Sequence, residues 1–283
     1  MPAAFDRLVV LDFEATCDNS DPPVPQEVIE FPSVLVSLPH RAVVDSFSTF
    51  VRPVHHPTLS AFCTELTTIR QADVDPAPVF PDVLAAHRAW LEGHGLFDSQ
   101  GRERFAFVTC GDWDLQTMLP VQCGASGIPI CALPHAYRRW INIKKVFLAV
   151  MQKAKTTGMP AMLRALGLEL QGTHHRGIDD CHNIARLAFA LADRGARFEL
   201  TGKLAASHYP ELALDLQWGD RVERVFLKKR HLASLLGLAS GVFHARMVRV
   251  LGPDGEVIED DDPLTELLPE ARLRVLSARD LKT

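Results

Sequence analysis

The sequence predicts an α/β protein of two domains, with a mixed β-sheet covered by helices in the first and a small α+β module in the second. Runs rich in β-branched and aromatic residues dominate the first 51 positions. Strand and helix patterns then alternate up to residue 199, and short strands around one helix follow. The length of 283 residues suits two domains of ordinary size.

Hydrophobic periodicity places the elements of the first predicted domain, residues 1–199. Apolar runs bounded by turn residues predict strands at Leu8–Leu11, Glu27–Leu38, Ala42–Val51 and Arg104–Thr109. Helical spacing of apolar residues predicts helices at Val83–Leu91, Asp112–Leu119 and Gly177–Asp193. Residues 137–167 are predicted to be mostly helical, with a break at the Gly-Met-Pro sequence of residues 158–160.

Residues 200–283 form the second predicted domain. A strand-like RFEL run at residues 197–200 leads into Leu214–Leu227, whose alternation is typical of a hairpin. A short helix at His231–Leu238 is followed by a second hairpin at Met247–Leu251 and Val257–Ile258, and by a last strand at Leu273–Leu276. This order suggests a small β-grasp-like module.

Composition excludes several classes of protein. Apolar residues make up 47% and charged residues 23% of the chain, which is typical of a globular protein. No apolar run approaches about 18 residues, so no membrane span is predicted. The N-terminus lacks the pattern of a signal peptide, and the six cysteines form no CxxC pair. We therefore expect a cytoplasmic protein with reduced thiols.

The net charge of −5 hides an asymmetry along the chain. Residues 1–133 carry 7 Lys and Arg against 17 Asp and Glu, whereas residues 134–199 carry 11 against 5. Such a division suits an enzyme that holds cations on one face and a polyanion on another. Solvated faces without any ligand are the alternative.

Two carboxylates, Asp12 and Glu14, follow the first predicted strand. At positions i and i+2 of an extended chain their side chains project to the same side. Like charges that lie so close repel each other unless they are protonated or bridged by cations. A metal-ion site is therefore one interpretation, and two carboxylates splayed into solvent are the other.

Two further motifs add carboxylates and histidines. Asp112 and Asp114 lie in the sequence GDWDL after a predicted strand, where either could simply cap the helix. The sequence HHRGIDD leads into the last helix of the first domain, and its glycine-containing bend could bring His175 and Asp180 into one cleft. A local cap or ion pair is the alternative for this pair.

Together the three segments supply four carboxylates and a histidine on separate elements. Two divalent ions that catalyse phosphodiester hydrolysis need such a set. Oxygen ligands suit Mg²⁺ or Mn²⁺ rather than zinc. A histidine near a metal-held water can act as a general base, because its ordinary pKa is about 6.5.

The order of these motifs resembles the DEDDh (DnaQ-like, RNase T superfamily) 3′–5′ exonucleases. It is most similar to the branch of enhanced-RNA-interference and histone-mRNA exoribonucleases and their bacterial KapD-type relatives. Within about residues 5–199, the resemblance rests on DFEATC (12–17), EVIEFP (27–32), FCTELTTIRQADVD (62–75), CGDWDLQTML (110–119), WINIKK (140–145) and HHRGIDDCHNIARLA (174–188). It implies a ribonuclease H-like fold, with a mixed five-stranded sheet flanked by helices.

Carried over position by position, the resemblance implies a complete catalytic set. Asp12, Glu14, Asp114 and Asp180 are implied as ligands of two Mg²⁺ (or Mn²⁺) ions. His175 is implied as the general base.

The family spacing of a histidine, four residues and an aspartate is met twice. His174 with Asp179 keeps the spacing, but His175 with Asp180 also has the small residue and the Asn-Ile-Ala that follow in the family. We therefore choose His175 and Asp180. The chain departs from the branch at Thr68, where a glycine is usual in a turn that borders the nucleotide site.

The resemblance also implies residues that bind the substrate. Glu14 and Ala15 resemble the family position where the backbone meets the terminal nucleotide, and His175 is implied to contact the substrate. Phe13 and Trp113 could stack a base, although core packing is the alternative for each.

The implied activity is removal of nucleoside 5′-monophosphates from the 3′ end of single-stranded RNA, or of short 3′ overhangs. Basic residues expected to follow the phosphate backbone are Arg138, Arg139, Lys144, Lys145, Lys153, Lys155 and Arg164. A preference for DNA, and a catalytically silent scaffold, are the alternatives. Residues 200–283 could contact the substrate, bind a protein partner or mediate self-association.

Overall fold

A computed structural model describes residues 5–97, 102–155, 157–204, 212–227, 232–259, 271–277 and 280. The chain forms two compact units. The first contains Met1–Ile128 and His135–Leu204, and the second contains Pro129–Pro134 and Ala205–Thr283. No helix among the described residues is long and apolar enough to cross a membrane.

A mixed sheet forms the centre of the first unit. Its strands are β1 (Arg7–Leu11), β2 (Glu14–Ala15), β3 (Val28–Ser37), β4 (Ala42–Phe50), β5 (Phe105–Thr109), β6 (Arg139–Asn142) and β7 (Gly202–Lys203). The five longer strands run in the order β4-β3-β1-β5-β6, while the two-residue strands β2 and β7 pair with β3 and β6. The predicted mixed five-stranded sheet is therefore confirmed, with two short strands added.

Strand direction decides which chain ends meet. β1 is antiparallel to β3 but parallel to β5, and β5 is parallel to β6. The carboxyl ends of β1, β5 and β6 therefore lie at one edge of the sheet, the usual place for ligand sites in such sheets. Residues Leu8–Leu11 of β1 are fully buried, as their unbroken apolar run predicts for a central strand.

Helices cover this sheet. They are α1 (Ala61–Thr67), α2 (Gln71–Val74), α3 (Phe80–Gly93), α4 (Leu119–Ala125), α5 (Ile143–Met151), α6 (Met159–Ala165) and α7 (Gly177–Ala192). A π-helical turn, Asp114–Met118, precedes α4. α7 packs on β1 and β3, and its buried face includes Ile184, Leu187 and Leu191, the spacing from which the helix is predicted.

Two sequence predictions for this unit are wrong. Arg139–Asn142, predicted as helix, forms β6, because the chain from Trp140 pairs in parallel with β5 and buries the indole in the core. The RFEL run at residues 197–200 is not a strand. The short β7 forms instead just after it, where Gly202 lies so close to Trp140 that a Cβ would clash with the ring.

The second unit is a sheet with one helix. Its elements are β8 (Leu212–Trp218), β9 (Arg221–Leu227), α8 (Leu232–Phe243), β10 (Met247–Leu251), β11 (Val257–Ile258) and β12 (Ala271–Ser277). The strand order is β11-β10-β12-β8-β9, and β8 and β12 are parallel neighbours at its centre. Two hairpins are joined by the helix, and the last strand, β12, lies between them in the sheet. This arrangement is the topology of a β-grasp. The function of this unit stays a prediction.

Candidate active site

Three carboxylates converge at the carboxyl end of β1. Asp12 directly follows that strand, Glu14 lies in β2, and Asp180 lies in the first turn of α7. One oxygen of each carboxylate lies within 4.8 Å of the other two. An all-oxygen ligand set of this kind suits Mg²⁺ or Mn²⁺.

Asp114 joins this cluster from the neighbouring strand. It begins the π-helical turn that follows β5, and its buried Oδ1 accepts a hydrogen bond of 2.9 Å from the backbone N–H of Phe13. Phe13 stands between Asp12 and Glu14 in the chain. The fourth predicted ligand is thus fixed beside the other three, although it lies outside the group defined by the 4.8 Å distance.

A close approach of backbones brings α7 to the end of β1. A Cβ atom on Gly177 would lie 2.8 Å from the carbonyl oxygen of Asp12 and 2.7 Å from Cγ of Pro32. A side chain at position 177 would therefore push the helix away from the strand. Glycine at this position lets Asp180 reach the carboxylates carried by β1 and β2.

Glu30 of β3 is a buried carboxylate that the sequence analysis does not assign to the site. It accepts hydrogen bonds from the backbone N–H groups of Gly177 at 3.1 Å and Ile178 at 3.3 Å, and from the Ser48 hydroxyl at 3.2 Å. The first N–H groups of a helix lack intrahelical partners, and a negative charge is favourable there. Glu30 therefore fixes the turn of α7 that carries Asp180.

Replacing Glu30 with glutamine is expected to weaken Mg²⁺ binding by about 10–100-fold, the usual cost of losing a group that orients a metal ligand. The amide keeps one acceptor but directs an N–H₂ group at the helix terminus. Isothermal titration calorimetry with Mg²⁺ measures the change.

Glu27 offers a matched control three residues earlier in the chain. Its carboxylate accepts hydrogen bonds from the backbone N–H groups of Val54, His55 and His56, at 2.6, 2.9 and 2.7 Å. Glu27→Gln should lower the melting temperature without changing the Mg²⁺ affinity. An equal loss of affinity in both variants would show that Glu30 acts only on general stability.

Both histidines of the HHRGIDD motif lie beside Asp180. Nδ1 of His174 is 2.9 Å from Oδ2 of Asp180, and the backbone N–H of His175 donates to the same oxygen at 2.8 Å. The two rings stack with centroids 3.9 Å apart. His175 adopts a positive φ of 67°, which is uncommon for a residue with a side chain. The ring contact with Asp180 thus belongs to His174, which the sequence analysis treats as a neighbour.

Burial raises the pKa values of three clustered carboxyls, and repulsion between carboxylates adds to the rise for Asp12 and Glu14. Burial, followed by the charges of Glu30, Asp180 and Asp114, raises the pKa of Glu14 to about 9. Burial and the neighbouring carboxylates, Asp114 first, raise the pKa of Asp12 well above its usual range. Burial also raises the pKa of Asp114 to about 6. Bound cations would relieve this repulsion, so the donor set fits divalent metal ions.

The pKa of Glu14 predicts a pH dependence for the stability of the metal-free protein. Between pH 7 and 9 the folded chain keeps on Glu14 a proton that the unfolded chain releases near its ordinary pKa of 4.5. Stability should therefore fall as pH rises through this window. Saturating Mg²⁺ should flatten the dependence, because it binds the deprotonated folded form. Melting curves in EDTA and in Mg²⁺ test this, and a metal-free melting temperature that rises from pH 7 to 9 would contradict it.

The two aromatic residues implied to stack a base differ in exposure. Phe13 is 4% exposed and packs edge-on against Phe31, with ring centroids 4.7 Å apart. Trp113 is 41% exposed. These exposures favour core packing for Phe13 and leave Trp113 available to a base. Ala15 is buried in β2, where its contribution to a site would come from the backbone.

The acidic residue Asp112 and the basic residue Arg138 have roles that differ from those predicted from the sequence. Asp112 does not cap the helix: its carboxylate accepts a hydrogen bond from Nε1 of Trp140 at 2.8 Å and pairs with Lys145 at 3.4 Å. Arg138, predicted to follow a phosphate backbone, is buried with 4% exposure. Both residues pack around β6, a strand that the sequence does not predict.

Thr68 stands where related sequences usually carry glycine, and its backbone explains the preference. It ends α1 with a φ of 64°, in the left-handed region. A β-branched residue is strained there, whereas glycine is not. The turn itself is retained despite the substitution, because the Thr68 N–H still donates to the Thr64 carbonyl at 2.9 Å.

Comparison with known proteins identifies the family. The sequence model of the RNase T exonuclease family matches residues 9–188. The chain belongs to this exonuclease family. Human ERI1 exoribonuclease 3 is 42% identical over 203 residues, covering 71% of this chain and 58% of the relative. Human 3′-5′ exoribonuclease 1 is 33% identical over 214 residues, which cover 75% of this chain and 60% of the relative.

Solved structures of exonucleases share the fold of the first unit. The nuclease domain of 3′hExo, described as a DEDDh family member bound to rAMP, is 33% identical, with a TM-score of 0.66. The match covers 72% of this chain and all of that domain. The resemblance to the DEDDh exonucleases and the ribonuclease H-like fold are thereby confirmed. The chain spans about 58% of the length of the curated relatives named ERI1 exoribonuclease 3.

Proposed function

We propose that this chain is a metal-dependent 3′–5′ exonuclease that hydrolyses single-stranded RNA, or short 3′ overhangs, to nucleoside 5′-monophosphates. The observation that carries the proposal is the convergence of Asp12, Glu14 and Asp180, with Asp114 beside them. Relatives named exoribonucleases support RNA over DNA. A 3′-exonuclease whose solved structure concerns 3′-end-specific recognition of a histone mRNA stem-loop is 30% identical to this chain.

Asp12, Glu14, Asp114 and Asp180 would hold two Mg²⁺ (or Mn²⁺) ions. All four are oxygen donors. Burial, followed by the charges of neighbouring carboxylates, raises the pKa values of Asp12 and Glu14, and bound cations would remove that repulsion. When bound, two divalent ions activate water and stabilise the negative charge on the leaving 3′-oxygen.

His175 would accept the proton of the attacking water. Partial desolvation of its ring and the adjacent His174 lower the pKa of His175, which favours the neutral imidazole that a general base requires. The hydrogen bond from its backbone N–H to Asp180 fixes the residue next to the carboxylates. Proton transfer and metal binding would thus be coupled through one side chain.

Exposed groups of the first unit suit a nucleic-acid strand. Trp113, whose side chain is 41% exposed, would stack the terminal base, and the backbone of Glu14 and Ala15 would contact the same nucleotide. Lys155 and Arg164 are exposed and would contact phosphates further along the strand.

A competition between matched RNA and DNA strands tests the proposal. Two 5′-labelled oligonucleotides of one sequence are incubated with the protein and Mg²⁺, and the products are separated by length. We expect the RNA to shorten faster, with nucleoside 5′-monophosphates as products. Faster shortening of DNA would favour the DNA-specific alternative, and no shortening of either would leave the scaffold alternative.

A further inference from the structure

A second group of metal ligands adjoins the carboxylate cluster. One ligand atom each from His174, His175 and Asp180 lie within 4.8 Å of one another. Asp180 belongs to both groups, because the carboxylate group consists of Asp12, Glu14 and Asp180. The two groups therefore meet at one side chain.

The donor atoms of the two groups differ in chemistry. Two imidazole nitrogens and one carboxylate oxygen form the ligand set typical of an open zinc site, which keeps a fourth position for water. Carboxylate oxygens alone suit Mg²⁺. Imidazole ligands also favour transition metals. In the usual order of affinities of divalent ions for protein ligands, zinc binds more tightly than manganese or iron.

The geometry of the group suits capture of an ion. Nδ1 of His174 already lies 2.9 Å from Oδ2 of Asp180, and the ring of His175 stacks on that of His174 at 3.9 Å. Asp180 is 3% exposed, whereas His174 is only partly buried and His175 is exposed. An ion would thus reach the two histidines from solvent and then bind the buried carboxylate of Asp180.

We propose that His174, His175 and Asp180 form a binding site for a divalent transition metal ion such as zinc, and that this ion inhibits Mg²⁺-dependent hydrolysis. A ring nitrogen of His175 that ligates a metal ion cannot accept a proton from water. The inhibitory part rests on the proposed function, whereas the binding part does not.

His174 is the residue that distinguishes this site from the catalytic set. It lies outside the His-four-residues-Asp pair that the family resemblance selects. A His174→Asn variant therefore removes one proposed zinc ligand and keeps His175 and Asp180. His182→Asn is the matched control, because His182 lies on the same helix, α7, but outside the ligand group.

Calorimetric titration of Zn²⁺ into each protein, with Mg²⁺ in excess, tests the site directly. The wild type and His182→Asn should bind zinc alike, and His174→Asn should bind it at least about tenfold more weakly, since losing even an outer-shell partner costs about 10–100-fold. Zinc also binds thiolates, and Cys17 is partly exposed, so the comparison between variants decides the assignment. Unchanged affinity in a folded His174→Asn variant, or no binding by the wild type, would overturn the proposal.

Shortening of a 5′-labelled RNA with Mg²⁺ and increasing Zn²⁺ tests the inhibition. With each protein compared with its own zinc-free rate, the half-inhibitory zinc concentration of His174→Asn should rise by about the same factor as its dissociation constant. An equal half-inhibitory concentration in both proteins would place the effect of zinc elsewhere. If the wild type lacks activity without zinc, the proposed function fails, while the calorimetry still decides the metal site.

Discussion

Replacing Asp180 with asparagine is expected to reduce RNA hydrolysis by more than about 100-fold, because the loss of a direct metal ligand should exceed the cost of losing an outer-shell partner. Asp180 shares the carboxylate group with Asp12 and Glu14 and accepts the backbone N–H of His175. Asparagine keeps an oxygen for that hydrogen bond but loses the negative charge that holds a cation. The rate of shortening of a 5′-labelled RNA measures the effect.

The same substitution should leave the fold intact. In the metal-free protein it removes one charge from a buried cluster of like charges, which does not destabilise the chain. Asp193→Asn is the matched control, because Asp193 follows the other end of α7 and pairs with Arg41 at the surface, an interaction worth little. Full activity in a folded Asp180→Asn variant would exclude Asp180 as a ligand.

Replacing His175 with asparagine should lower kcat by about 10²–10⁴-fold, the usual contribution of a general base. Asparagine is chosen because it tolerates the left-handed backbone that His175 adopts, with φ 67°. The substitution therefore removes the imidazole without adding backbone strain. Mg²⁺ affinity, measured by calorimetry, should change much less than kcat.

His174→Asn distinguishes between the two adjacent histidines. The ring of His174, rather than that of His175, contacts Asp180 in the structure. If His175 is the base, the His174 variant keeps more activity than the His175 variant at saturating Mg²⁺, because it retains the imidazole that accepts the proton. An inactive His174 variant alongside an active His175 variant would assign proton transfer to His174 instead.

Local sequence patterns predict the part of the site that lies along single segments. Asp12 and Glu14 are recognisable because a buried apolar run ends directly before them. Asp180 is recognisable because it opens a long amphipathic helix. In both cases the pattern within a few residues indicates where the carboxylate lies in the chain of elements, and the tertiary structure decides between a buried cluster and a solvated surface.

Contacts between distant segments could not be predicted in this way. Glu30 binds the N-terminus of α7, 147 and 148 positions further along the chain, and its sequence signal is no more than a charged residue inside an apolar strand. Arg139–Asn142 forms a strand because β5 offers it a free edge, although its neighbours have a helical pattern. Tertiary pairing overrides local propensity at such positions.

The second unit shows the opposite case. Its alternating stretches and its turn residues predict two hairpins around a helix, and the observed strand order has the β-grasp topology. A hairpin depends on neighbouring residues, so local patterns suffice to predict it. The parallel pairing of β12 with β8 follows from closing the sheet between the two hairpins.

Metal-dependent removal of nucleotides from the 3′ end of RNA, the activity that we propose for this chain, is tested most directly by following one labelled strand. Metal-free protein is incubated with a 5′-labelled single-stranded RNA, with Mg²⁺ or with EDTA, and the products are followed over time. We expect a ladder of products that shortens stepwise from the 3′ end with Mg²⁺, and RNA of unchanged length in EDTA. Equal shortening in EDTA, or release of the 5′ label as a mononucleotide in the first step, would contradict it.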